Sequence, residues 1–286
     1  PPRSTPKPSS AASDVYKRQR NKRVCDPKLL DFLLPLVGFA VGLTVGLSGI
    51  GGAALMTPML VILGVPPTYA VGSDLIFNAA TKLLGSALHV KRKNVEFNVL
   101  KLLLAGSIPA LLSCSLTLLY LKEAYGWIHL NTLLSAAIGL VLIAVSTIHL
   151  VRLRSRENPP PPLQTRNRWK TTVFTGFLIG FLIQLTSIGA GSLLMPYLMK
   201  RINSPRKMVG TSLLYGLLAS SIAALLHASL GNIQVNIVLL MLAGSLPGIT
   251  LGVKLNDKAA PSSIRTVIVT LILLSGITVL LKTFLL

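Results

Sequence analysis

The chain is short of charge, of acid in particular, and of cysteine. Only 13% of its 286 residues are charged, and 8 acidic residues stand against 28 basic ones. A soluble domain carries about 25% charged residues, so this shortage, beside 51% hydrophobic content, argues against a solvated globule. Two cysteines, Cys25 and Cys114, make neither a disulfide framework nor a thiolate metal cluster. Cys114, inside an apolar run, reads as a small packing residue. With aromatics at 6%, there is no basic stripe interleaved with stacking rings, which excludes a nucleic-acid surface. The chain also lacks a Gly-x-Ser-x-Gly elbow, a His-Glu-x-x-His pair and a phosphate loop ending in Gly-Lys-Ser/Thr. A membrane-embedded enzyme would need paired carboxylates, a Ser/His pair or clustered metal ligands, and the chain offers one intramembrane Asp and the distant His89 and His227. The expectation is no enzyme, no cofactor, no metal and no ATP-driven pumping by this chain alone.

Long apolar runs are what the chain has instead: Phe32 to Leu47, Thr68 to His89, Leu100 to Leu121, Leu133 to Val151, Val173 to Leu185, Val209 to Leu230, Ile237 to Val253 and Val267 to Leu286. Several approach the roughly 20 residues that cross about 30 Å of hydrocarbon. A soluble reading would require most of them to be helices apolar on every face. The expected setting is therefore the bilayer, as an integral protein of the cell (plasma or inner) membrane. The formal charge of +20 fits that setting. Basic residues cluster in the first 28 positions, between Arg152 and Lys170, and in short breaks such as Lys91-Arg92-Lys93 and Lys200-Arg201. Clusters flanking apolar spans are the positive-inside pattern, and the Arg152 to Lys170 stretch also suits anionic lipid heads.

The second feature is a duplication at one constant offset, without a gap. Ser48-Gly49-Ile50-Gly51-Gly52-Ala53-Ala54-Leu55-Met56-Thr57-Pro58 returns as Thr186-Ser187-Ile188-Gly189-Ala190-Gly191-Ser192-Leu193-Leu194-Met195-Pro196. Val71-Gly72 returns as Val209-Gly210, His89 as His227, Asn94 as Asn232, and Leu104 to Pro109 as Leu242 to Pro247. A duplicated apolar half-unit is a transporter signature. Residues 1–30 read as a disordered basic tail, 31–151 as the first transmembrane repeat, 152–170 as a basic linker stiffened by Pro159 to Pro162, and 171–286 as the second repeat.

Each repeat contains a segment too short to span: Ala53 to Leu63 and Ser192 to Arg201. A dozen helical residues reach about 18 Å, so each glycine motif is expected at the tip of a hairpin or broken helix. Breaks that are basic in one repeat are neutral in the other, which favours inverted halves, although the basic N-terminal tail falls on the wrong side in that scheme. The fold expected is all-α: a polytopic transmembrane bundle of two homologous, inverted halves.

The candidate ligand site is the pair of glycine motifs. Gly49, Ile50, Gly51 and Gly52, with Ser187, Ile188, Gly189, Ala190, Gly191 and Ser192, present backbone amides before short helices, where unpaired N–H groups attract an anion. Close packing through small residues is the competing account. Pro58 and Pro196 are placed six or seven residues into the short helices, where they would kink them. Asp74, Asn78 and Lys82 stand at i, i+4 and i+8, on one face of a helix. Ionisable groups inside a span are costly and point to a pathway or to an internal pair. Their second-repeat counterparts are Ser212, Gly216 and Ser220, so the triad is not duplicated. His89 and His227 end equivalent segments, as proton carriers or interfacial anchors. Tyr215 and Gln184 are polar groups placed close to the second glycine motif.

On Ser48-Gly49-Ile50-Gly51-Gly52 followed by Pro58, on Ala70-Val71-Gly72-Ser73, on His89, and on the second copy with Val209-Gly210-Thr211-Ser212, the chain resembles the TauE/SafE family of sulfite exporters. The resemblance covers about residue 32 to the C-terminus. It implies a permease for sulfite, sulfoacetate, thiosulfate or a related small sulfur-containing anion. It also implies that Gly49, Gly51, Gly52, Pro58, Ser187, Gly189, Gly191 and Pro196 line the pathway. Ala53 departs from a glycine typical of the family. The reading is a secondary transporter of a small anion, with that anion and the lipid bilayer as partners. Its rivals are a permease for a cation or other solute held by Asp74, and a non-transporting assembly subunit.

Overall fold

The computed structural model describes residues 27–48, 52–154, 168–189, 191–256 and 261–285. Residues 1–26, Gly49, Ile50, Gly51, Ala190 and residues 155–167 lie outside them. Residues 1–26 of the expected tail, most of the linker and much of the first glycine motif therefore lie outside the described residues, while residues 27–30, expected in the tail, begin the first helix.

The described structure is helical throughout. Helix α1 (Pro27–Ser48) leads to a 3-10 turn (Gly52–Leu55) and the short α2 (Met56–Ile62). Helix α3 (Pro67–Lys91) and the long α4 (Phe97–Arg154) complete the first repeat. Gly126 breaks α4 with φ 76° and ψ 174°, so 97–125 and 127–154 act as two helices. The second repeat follows the same series: α5 (Arg168–Thr186), the short α6 (Leu194–Met199), α7 (Pro205–Ser229), α8 (Val235–Asn256) and α9 (Pro261–Leu285). Helical structure runs past the expected linker edges, to Arg154 and from Arg168. Arg and Lys are good helix formers, and they carry an apolar helix out into the polar boundary.

Among the described residues, five helices contain stretches long and apolar enough to cross a membrane: Leu29–Leu47, Phe97–Val151, Pro205–Ser229, Val235–Leu255 and Thr266–Leu285. Large apolar side chains point outward along the bundle, among them Leu84, Leu116, Phe174, Leu225 and Phe284. Such a surface, on helices of spanning length, suits lipid and not water. The chain is an integral membrane protein.

Small residues set the helix pairs. Gly38, Gly42 and Gly46 of α1 face Met241, Ser245 and the Ile249–Gly252 turn of α8, close enough that any Cβ would strike backbone. As the counterpart pair, Gly176 and Gly180 of α5 meet Leu103 and Ser107 of α4 in the same way. Every fourth residue is small, so the backbones approach and dispersion replaces the missing hydrophobic drive. Contact levels rise together along both chains, so each of these pairs is parallel.

The equivalent helices α3 and α7 cross instead with opposite direction. Gly72 of α3 faces Asn232 and His227 just past and near the end of α7, while Gly210 of α7 faces Asn94 and His89 of the first repeat. The contact is reciprocal in detail. The amide of Glu96 donates to Thr211 Oγ1 at 2.9 Å. Its counterpart, the amide of Gln234, donates to Ser73 Oγ at 3.3 Å. Both helix ends close alike: the Asn94 amide donates to the His89 carbonyl and the Asn232 amide to the His227 carbonyl, each at 2.9 Å. Lys93 and Gly231 take the left-handed conformation at φ 54° and 73°, which completes the same helix-ending motif twice. The Val-Gly-Ser/Thr and His…Asn repeats of the sequence thus build a clamp between the two halves.

Candidate functional site

The polar side chains of α3 sit one turn apart, as their spacing requires. Asp74 and Asn78 are buried, at 0% and 2% exposure, and Lys82 is half-buried. Lys82 Nζ donates to Asn78 Oδ1 at 3.1 Å. Asn78 Nδ2 donates to Asp74 Oδ1 at 3.0 Å. Thr57 Oγ1, from α2, donates to Asp74 Oδ2 at 2.5 Å. The amide group of Asn78 therefore stands between the ammonium and the carboxylate, its oxygen toward the cation and its nitrogen toward the anion. Unpaired, either charge would cost several kcal/mol away from water. Joined through Asn78, they offset one another.

The same Asn78 Nδ2 also donates to Ser187 Oγ at 3.3 Å. Ser187 is the first residue of the second glycine bend, and its φ of 61° is unusual for a residue with a side chain. Gly189 follows at φ 142°. The bend thus reaches across the repeat boundary to the triad. Its amides are partly used internally: Ser187 N bonds the Ile183 carbonyl at 2.8 Å, and Leu193 and Leu194 N bond the Gly189 carbonyl at 3.2 Å. Ile188 N bonds Thr186 Oγ1 at 3.2 Å. Gly189, Gly191 and Ser192 remain the candidate ligand-facing residues, with Gly52 at the start of the turn before α2. Gly49, Ile50, Gly51 and Ala190 lie outside the described residues.

Other expected site residues are placed as follows. Pro58 and Pro196 are each the third residue of their short helix, not the sixth or seventh of a longer one. A missing N–H falls in the first turn, where it costs no α-helical bond, so neither proline is a kink. The reason is that the residues before them form turns and not α-helix. Tyr215 OH pairs with Ser107 Oγ at 2.7 Å. Ser107 in turn donates to the Gly176 carbonyl at 2.8 Å, so the hydroxyl of Tyr215 is engaged at the α4–α5 contact. His227 is buried, its Nε2 3.0 Å from the Gln184 carbonyl oxygen. His89 lies against Gly210. Among the described residues, both side-chain amide atoms of Gln184 are buried without a hydrogen-bond partner, as is His227 Nδ1. Gln184 stands where the first repeat has Gly46, which packs directly on Gly252.

Thr57 was not legible as a partner of Asp74. The signal lay in the duplication, where Thr57 matches Met195. Asp74, Asn78, Lys82 and Ser187 likewise match Ser212, Gly216, Ser220 and Gly49. The network gathers positions at which the copies diverge. Among the described residues no group of His, Cys, Asp and Glu is arranged to hold a metal ion.

Comparison with known proteins agrees with this architecture. The family model "Sulfite exporter TauE/SafE" matches residues 34–279. The probable membrane transporter protein YjnA of Bacillus subtilis is 36% identical over 247 residues, 85% of this chain and 96% of its own length. A probable membrane transporter protein of Methanocaldococcus jannaschii is 25% identical over 276 residues, covering 87% of this chain and 95% of its own. YunE of Bacillus subtilis, also named a probable membrane transporter protein, is 24% identical over 267 residues, 85% of this chain and 95% of its own. No solved structure matches. A duplicated apolar bundle matched over nearly its whole length by this family model leaves one assignment: the chain is a membrane transporter protein of the TauE/SafE sulfite exporter family.

Proposed function

We propose that this protein moves a small oxidised-sulfur anion, such as sulfite, thiosulfate or an organosulfonate, by secondary transport. The anion is held beside the second glycine bend, at Ser187 and Gly189. The observation that carries the reading is the bond from Asn78 to Ser187. It ties the lysine-bearing face of α3 to a glycine-rich bend of the other repeat, in a part of the bundle where polar groups are expensive. Lys82 supplies the positive charge and the bend supplies backbone amides.

The antiparallel crossing of the equivalent helices α3 and α7 supports halves inverted across the membrane, since a two-fold axis between antiparallel helices runs perpendicular to them. Rocking of the α1–α8 pair against the α4–α5 pair, each drawn from both repeats, about the Gly72–Asn232 and Gly210–Asn94 contacts would open the site to either side in turn. A cation at Asp74 would compete with the donors Thr57 and Asn78, from which its two oxygens accept hydrogen bonds.

The test is flux into proteoliposomes with labelled sulfite, thiosulfate and sulfoacetate. Transport of at least one is expected, with loss in Gly189→Leu. Folded protein that carries none of them overturns the proposal.

A further inference from the structure

The Asp74–Asn78–Lys82 chain balances one negative against one positive charge with nothing left over. An anion arriving beside Ser187 meets that balance: the carboxylate repels it, and the ammonium is already compensated. We propose that Asp74 is a proton-binding site, and that one proton on Asp74 accompanies each anion through the protein. The inference rests on the anion-transport reading and deepens it by naming the co-transported ion.

The geometry assigns the proton to one atom. Asp74 Oδ1 faces the Asn78 Nδ2 donor at 3.0 Å, and Asn78 cannot turn its oxygen inward without leaving Lys82. Asp74 Oδ2 faces Thr57 Oγ1 at 2.5 Å, and a hydroxyl both donates and accepts. A proton taken from the aqueous phase forms an O–H bond at Oδ2. Thr57 rotates to accept it, giving up the bond it formerly donated. Asp74 is then neutral, Lys82 keeps its charge, and the uncompensated cation draws the anion. Release of the anion restores the cost of the lone ammonium, which falls again when the proton leaves.

The surroundings leave few competing groups. Lys82 is the charged side chain that acts on Asp74 through its field. Helix α2 and the α5 stretch 171–186 contain no ionisable residue, and α8 carries only Lys254, near its far end. Helix α7 brings Tyr215 and His227, engaged by Ser107 and the Gln184 carbonyl. Helix α4 brings Lys122, which lies over the Trp127 ring, itself stacked with Tyr69.

Thiosulfate and sulfoacetate are suitable probes, since neither titrates near neutral pH. In proteoliposomes with the membrane potential clamped, an inward proton gradient should raise wild-type uptake on the order of ten-fold. A pH dye should record protons entering with the anion. Asp74→Asn should abolish the response to the gradient, and Thr57→Val should weaken it. If Asp74→Asn does not fold, binding to wild-type protein decides. Calorimetry in buffers of different ionisation heat should show about one proton taken up per anion bound, by the reciprocity of linkage. Anion flux and binding indifferent to protons overturn this inference and leave anion transport standing. A gradient response that survives in Asp74→Asn does the same. Absence of any anion flux overturns both readings together.

Discussion

Asn78 Nδ2 lies 3.3 Å from Ser187 Oγ, and this bond joins a helix of the first repeat to the glycine bend of the second. The first repeat has Gly49 where the second has Ser187. A serine at φ 61° costs about 1 kcal/mol or more of backbone strain, which glycine would avoid. What the serine adds is the acceptor for Asn78. Ser187→Gly is therefore expected to leave thermal stability within about 1 kcal/mol of wild type, the relief of strain offsetting the lost bond. Anion flux is expected to fall at least several-fold. Unchanged flux in a folded variant would detach the bend from the transport step.

Lys82 is the positive end of the buried chain. Lys82→Met removes one charge and leaves Asp74 without its counter-ion, at a cost on the order of 3 kcal/mol. The expected outcome is a lower melting temperature in detergent and no measurable thiosulfate uptake. In the double variant Lys82→Met/Asp74→Asn both charges are absent. Stability should recover toward wild type while uptake stays lost. A double variant as unstable as the single one contradicts the pairing through Asn78.

Gly72 and Gly210 hold the clamp between the halves, where an added Cβ would run into the carbonyls of Asn232 and Asn94. Gly72→Ala and Gly210→Ala should each cost about 1–3 kcal/mol by overpacking, read as loss of thermal stability. Gly64, with no atom within 4 Å of a built Cβ, provides the contrast for crowding. Its φ of 88° means that Gly64→Ala carries backbone strain but no clash. Asn at that position, a residue tolerant of positive φ, should be close to neutral. Clamp variants as stable as Gly64→Asn would remove the proposed contact.

Gln184 buries an amide whose two polar atoms have no hydrogen-bond partner among the described residues. An unsatisfied group of this kind costs about 1–3 kcal/mol. Gln184→Met, of similar length and without the polar atoms, should raise the melting temperature in detergent. A lower melting temperature would mean that the amide is satisfied in the membrane by a group such as water. The His227 contact should survive the change, because it uses the main-chain carbonyl of Gln184.

Much of this molecule follows from one dimension. Apolar runs near bilayer length dictate transmembrane helices, because a backbone in lipid must satisfy its own hydrogen bonds. The duplication fixes two like halves, and the α3 spacing fixes Asp74, Asn78 and Lys82 on one face, because helical period is a local property. The tertiary structure decided the rest. Thr57 reaches Asp74, and Ser187 reaches Asn78, across turns and repeats that no periodicity relates. Tyr215 went to Ser107, and the duplicated His and Gly residues went to the clamp between halves. Pro58 and Pro196 lost their kinks because turns, not helix, precede them. Which partner a buried polar group meets depends on where distant segments pack, and that is set by the bundle as a whole.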